Sequence, residues 1–329
     1  MKLIASMTAV IAASSVLCTA CGGVEPDQPI VRVLYPVGGL GDRSFSDMVY
    51  TGIVRAELGS PFEKIQAAPA DLADAEKIMK EWISGGIPHP GLVVTVGQTY
   101  TAALKSIGCP SGEVRLLHLD DTLPPCPNII SVTYRTYAPS FLAGVAAMAV
   151  SKRKTAAILG GMDLPTVNEF MKGFAAGVAY AGGSVVASEY LAADESGFNA
   201  PEKARERAES LFVDADVVFP VAGASGGGVF EAAKAAADRY AIGVDTDQSW
   251  LGRHVIIGSV VKRLDSSVEN TVRAFLCGSF SGGRVSPGLD DGGTEFAVND
   301  IFSAQVLAPV EAAHQAAIDA ERGYGGASR

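Results

Sequence analysis

Two charged side chains at the ends of apolar runs are the first candidates for chemistry. "YAIGVDTDQSW" is a buried-looking strand that delivers Asp245 at its C-terminal end, with Asp247 two residues on. "IGSVVKRLD" presents Lys262 in the same way. A carboxylate so placed can accept two hydrogen bonds from a vicinal diol, as on a ribose, and a lysine beside it would donate to sugar oxygens and offset its charge. The plain alternative is a surface ion pair. A second constellation is Gly223-Ala224-Ser225-Gly226-Gly227, which follows a strand and precedes a helix. It satisfies the G-x-S-x-G pattern of a nucleophile elbow, and Asp245 then His254 or His314 follow in the order of a hydrolase triad. Against it, glycine-rich strand–helix turns are common in parallel sheets, His254 lies near the start of a strand, and His314 falls in a final helix.

The third candidate, "GLGDRS" from Gly39 to Ser44, opens like a dinucleotide fingerprint. Ser44 stands where the third glycine belongs, no acid follows a clear second strand, and the Walker lysine is missing. The loop reads instead as a turn with Ser44 capping the next helix. His89, His118, His254 and His314 share no ligand spacing with one another or with cysteines. No metal and no cofactor is therefore expected.

The elements that must position these residues are strands and helices in alternation. "IVRVLY", "FEKIQAA", "GLVVTV", "EVRLLHL", "NIISVTY", "TAAILG", "SVVASEYL", "ADVVFPV", "YAIGVD" and "HVIIGSVV" read as strands. Several are continuous Val/Ile/Leu runs, as strands covered on both faces should be. Helices are expected to begin near Ser44, Asp71, Thr99, Pro139, Pro165, Ala200, Gly226, Asp265 and Ala308. This order predicts an α/β protein of two doubly wound parallel-sheet lobes, with a ligand cleft where strand C-termini meet. The 329 residues suffice for two cores. A seam is expected at "SKRKT", Ser151 to Thr155.

Residues 1–20 read as an export signal: Lys2, an apolar stretch, then small residues before Cys21. "LCTAC" has the form of a bacterial lipobox, so Cys21 is expected to carry lipid and residues 21–29 to be a flexible tether. Removing residues 1–20 takes away one lysine and no acid, which leaves a mature chain of about −11. With no dense basic run, a nucleic-acid partner is not expected. Cys109 and Cys126 flank a strand, and an exported protein could oxidise them, although spacing does not decide whether they meet.

Taken together, "GDRSF", "SFLAGVAAMAVSK", "AAILGGMDLPTVNEFMKGFAAGV", "DVVFPVAGASGGGVFEAAK", "AIGVDTDQ" and "SVVKRLD" resemble the basic membrane protein family of bacterial substrate-binding lipoproteins. The best understood members are purine nucleoside receptors. The resemblance implies a type I periplasmic-binding fold, an N-terminal lobe of 30–152 plus about 263–300, and a C-terminal lobe of 153–262 plus about 301–329. It implies a non-catalytic protein on the extracytoplasmic face, lipid-anchored, delivering a nucleoside-like molecule to an inner-membrane ABC permease. Phe45 and Phe198 match two aromatics that sandwich a base. Asp245 and Lys262 match the ribose pair, Gly223 a backbone contact, and Asp120 a family acid at a strand end. Asp42 and Ser46 flank Phe45 in the same motif. The family's "DDKSFN" reads "GDRSFS" here, and the acid that reads the base edge falls on Pro36 or Val37. The ring class, purine, pyrimidine or another aromatic, stays open.

Overall fold

The computed structural model describes residues 29–41, 45–84 and 91–325. The signal, residues 21–28 of the tether with Cys21, and Asp42 and the expected cap Ser44 lie outside the described residues. In chain order the elements are β1 (Ile30–Leu34), α1 (Phe45–Gly59), β2 (Glu63–Ala67), α2 (Leu72–Ser84), β3 (Gly91–Val96), α3 (Thr101–Ile107), β4 (Val114–Leu119), β5 (Ile129–Val132) and α4 (Tyr137–Val150). Then come β6 (Thr155–Gly160), α5 (Pro165–Tyr180), β7 (Ser184–Tyr190), α6 (Pro201–Leu211), β8 (Val217–Val221), α7 (Gly226–Lys234), β9 (Tyr240–Asp245) and β10 (Ile256–Lys262). The chain ends with α8 (Leu264–Leu276), β11 (Gly283–Val285), β12 (Thr294–Val298) and α9 (Ser303–Tyr324).

The strands form two sheets, β2-β1-β3-β4-β5-β11 and β7-β6-β8-β9-β10-β12. All pairings are parallel except β10 with β12. Both sheets therefore have the same winding, in which the strand order reverses beside the first strand of each lobe. Every residue of β1, β3, β8 and β10 is buried. That follows from their largely apolar runs, because helices cover both faces of each sheet. Each lobe has its own core on either side of its sheet.

Two boundaries differ from the expectation. The seam lies before α4, at residues 133–136, and not at Ser151. Helix α4 packs on α5 and α9 of the second lobe. It is apolar on all sides, with Ala138 through Met148 buried, so no polar face marked which lobe it joins. Strand β12 belongs to the second sheet, although residues up to 300 were expected in the first lobe. Neither β11 nor β12 was anticipated; β11 is three exposed residues at a sheet edge, and β12 carries only five. Helix α9 begins at Ser303, with Pro309 inside it. The expected start at Ala308 falls inside this helix, next to that proline.

The lobes are joined through residues 133–136, Arg263 and 286–293. Arg135 fastens two of these crossings. Its Nε donates to the Ser286 carbonyl at 2.9 Å, Nη1 to Glu321 at 2.9 Å, and Nη2 to Asp290. Backbone bonds from Thr133 to Val285 and from Arg135 to Pro287 run alongside. Cys109 and Cys126 form a disulfide, with their Cα atoms 5.9 Å apart.

Candidate ligand cleft

Between the lobes lies a cleft of about 710 Å³. Its walls come from the C-terminal ends of parallel strands and the loops that follow. Pro36 follows β1, Gly97 and Gln98 follow β3, and Asp120 follows β4. From the second lobe come Met162 after β6, Ala222 and Gly223 after β8, Asp245 ending β9 and Lys262 ending β10. These loops include the two points where strand order reverses, between β1 and β3 and between β6 and β8. Open α/β sheets part their crossovers there and leave room for a ligand.

The floor of the cleft is an ion cluster that spans both lobes. Lys262 Nζ donates to Asp120 Oδ1 at 2.9 Å and lies 3.4 Å from Asp245 Oδ1. Its side chain is 5% exposed, against 11% for Asp120 and 15% for Asp245. Both aspartates have left-handed backbone, at φ 68° and 67°. Aspartate is among the few residues that tolerate this conformation, and the turn at each strand end brings its carboxylate to Lys262. Burial alone would push the ammonium down. The two carboxylates outweigh that and hold it well above the ordinary lysine range. Lys262 Nζ also lies 5.1 Å from the Phe45 ring centroid and 5.2 Å from that of Phe170, over the face of each ring.

The aromatic lining is built from three elements. Phe45 opens α1 and Phe170 sits in α5. Phe198 closes a 3₁₀ turn, Glu195–Phe198. Its ring rests directly on Gly161, where an added Cβ would stand 2.5 Å from two ring carbons. Gly223, at φ 53°, lies beneath the same residue, with the Phe198 carbonyl 3.3 Å from a Cβ placed there. Across the cleft, Gln98 Nε2 donates to Thr166 Oγ1 at 2.9 Å and links the first lobe to the second.

Of the sequence candidates, Phe45, Asp120, Phe198, Gly223, Asp245 and Lys262 are therefore together in one cleft. Ser46 is buried at 1% exposure inside α1, away from the cleft lining. The structure does not place Ser225 as an exposed nucleophile. It is fully buried; its Oγ donates to the Gly197 carbonyl at 2.8 Å and accepts from Ala200 N at 2.7 Å. Asp245 is committed to Lys262, and His254 and His314 are exposed on the surface. Phe170, Gln98 and Thr166 were not singled out from sequence. Phe170 reads as one more apolar residue on the inner face of a helix, and the Gln98–Thr166 pair joins residues 68 apart.

Behind Asp120 lies a closed network. His118, fully buried, has Thr95 Oγ1 2.9 Å from Nδ1 and Thr101 Oγ1 3.1 Å from Nε2. Thr101 gives its only hydroxyl proton to Asp121 at 2.6 Å. His118 therefore donates from Nε2, while the Thr95 hydroxyl lies between Nδ1 and the Leu117 carbonyl, 3.4 Å away. Burial pushes its pKa down to about 4, and the nearby Asp121 carboxylate only partly opposes this.

Residues 30–321 match the family of PnrA-like ABC transporter substrate-binding proteins, the Bmp family. The chain belongs to that family. Basic membrane protein A1 of Borrelia garinii subsp. bavariensis is 30% identical over 294 residues, covering 86% of this chain and 83% of that protein. A CD4+ T-cell-stimulating antigen of Listeria monocytogenes is 27% identical over 341 residues, covering 94% and 95%. Among solved structures, a solute-binding protein of an ABC transporter system from Aeropyrum pernix K1 superposes with a TM-score of 0.71 at 25% identity, covering 90% of this chain and 85% of that one. As a Bmp-family member the chain is a substrate-binding component, and the family function implies a small-molecule ligand and an ABC permease partner. Among the described residues no helix is long and apolar enough to cross a membrane, and no group of three or more His, Cys, Asp or Glu is placed to hold a metal ion.

Proposed function

We propose that this Bmp-family protein captures a nucleoside or nucleoside-like solute in the cleft and presents it to the permease. The observation that carries the reading is the Asp120–Lys262–Asp245 cluster, set beside the aromatic rings of Phe45 and Phe170. Phe45 and Phe198 would stack on a flat ring, gaining apolar burial and stacking together. Asp245 would accept from the vicinal hydroxyls of a sugar, while Lys262 donates to its oxygens. A solute lacking those hydroxyls would strip water from the charged cluster without returning hydrogen bonds to it, and this is the stronger form of discrimination.

Charge narrows the class further. The described lining carries one cation, Lys262, against Asp120, Asp245 and Glu195. A cleft of net negative charge opposes phosphate esters, so the reading favours a nucleoside over a nucleotide. The Lys262 bridge to Asp120 gives lobe closure its own contact, since it joins β10 of one lobe to the end of β4 in the other.

The chain would work outside the cytoplasm, held to the membrane by lipid on Cys21. The 26% identity to an uncharacterized lipoprotein of Pyrococcus horikoshii supports that anchoring. Calorimetric titration of the Asp245→Asn and Lys262→Ala variants tests the sugar clamp. Each is expected to lose nucleoside binding, and unchanged affinity in either would overturn it.

A further inference from the structure

Among the described residues that line the cleft, one charged group is not used by the sugar clamp. Glu195–Phe198 is a single 3₁₀ turn, capped by Asp194, whose Oδ1 accepts from Ser196 N at 3.0 Å. At three residues per turn, positions i and i+3 lie one above the other, about 6 Å apart. Glu195 and Phe198 therefore share a face, and both line the cleft. The turn is held from behind. Gly197 packs so closely on Gly161 that a Cβ would stand 2.0 Å from the Gly161 carbonyl, and Ser225 ties the Gly197 carbonyl at 2.8 Å.

Most other polar side chains of the described lining already have partners. Lys262, Asp120 and Asp245 hold one another. Gln98 is bonded to Thr166, and Gln248 accepts from Val244 N at 2.9 Å. Among the described residues Glu195 makes no hydrogen bond or ion pair. A carboxylate on a rigid turn, one step from an aromatic ring, is placed to meet the edge of whatever stacks on that ring.

The geometry points to Glu195 as the specificity-determining residue that reads the ring edge of the ligand. The edge it selects carries two adjacent N–H donors, as on a 2-amino-6-oxopurine. This rests on the nucleoside reading above. A carboxylate only accepts, and its two oxygens match two parallel donors. An edge with an amino group beside a ring acceptor, as in adenine, satisfies one oxygen and sets a lone pair against the other. An edge with a single N–H, as in hypoxanthine, satisfies one and leaves the other dry. Glu195 is exposed, so water competes and the selection is expected near the low end for charge-assisted bonds, a factor of roughly ten.

Calorimetric titration of the purified protein with guanosine, inosine and adenosine tests this, using the unaltered chain, Glu195→Gln and Asp245→Asn. The unaltered chain is expected to bind guanosine about tenfold tighter than inosine, and adenosine weakest. Glu195→Gln is expected to weaken guanosine about tenfold and to level the three to within about threefold. If Asp245→Asn abolishes binding of all three but Glu195→Gln leaves their order intact, the edge assignment is overturned and the nucleoside reading stands. If guanosine is no tighter than adenosine in the unaltered chain, the edge assignment is likewise overturned. If none of the three binds, the edge assignment is overturned, and the nucleoside reading falls with it only if cytidine and uridine also fail to bind.

Discussion

Replacing Lys262 with methionine keeps the length and most of the volume of the side chain and removes one charge. The two carboxylates then face each other without a cation. Nζ lies 2.9 Å from one oxygen and 3.4 Å from the other, so those oxygens are at most about 6.3 Å apart. At an effective dielectric constant of about 20 the repulsion is at least ~2.6 kcal/mol. The lost bond to Asp120 adds to it, and removing one partner of a buried pair commonly costs about 3–5 kcal/mol. Chemical denaturation at pH 7 should therefore show Lys262→Met less stable by about 3–4 kcal/mol. Asp120→Asn in the same background removes the repulsion and should return most of that loss without restoring ligand binding. A Lys262→Met protein as stable as the original, or a double variant no better than the single, would refute the account of the cluster.

Two further outcomes follow from the geometry. Valine at Gly161 would place its Cβ 2.5 Å from the Phe198 ring, so the ring must shift. Stability is expected to fall by about 1–3 kcal/mol and ligand affinity by about tenfold or more, read by thermal melting and calorimetry; unchanged affinity would remove Phe198 from the cleft wall. His118 is held neutral, with its pKa lowered from 6.5 to about 4, so between those values the unfolded chain binds the extra proton. Its contribution is complete above pH 6.5 and is lost as pH falls toward 4, by up to ~3 kcal/mol at 1.36 kcal/mol per unit. His118→Gln should flatten the stability profile in that window, and an unchanged slope would contradict the buried-imidazole assignment.

Much of the fold was legible because its central strands are buried on both faces. An unbroken run such as "GLVVTV" or "DVVFPV" has few other places to go in an α/β chain. Asp245 and Lys262 were legible because each ends such a run, where parallel sheets place ligand contacts. Phe45 and Phe198 were legible only through motif resemblance, since neither spacing nor periodicity marks an isolated aromatic near a turn. The rest depended on contacts between distant residues. The bond of Lys262 to Asp120 joins positions 142 apart, and no local pattern encodes that meeting. The place of α4 was hidden by its own uniform apolarity. β12 was hidden by its antiparallel pairing, because an edge strand that returns beside β10 interrupts the strand–helix alternation that guided the reading. Ser225 was misleading in the other direction. Its sequence pattern fits a nucleophile elbow, but its hydroxyl serves as a rivet between two backbone segments.

The central claim is that the ion cluster grips the hydroxyls of a ribosylated ring. Calorimetric titration of the purified protein with guanosine and with 2′,3′-dideoxyguanosine tests this most directly, because the two share every ring contact and differ only at the diol. The account predicts that guanosine binds and that the dideoxy compound binds at least about a hundredfold more weakly. Equal affinities, or no binding of guanosine or any other ribonucleoside, would contradict it.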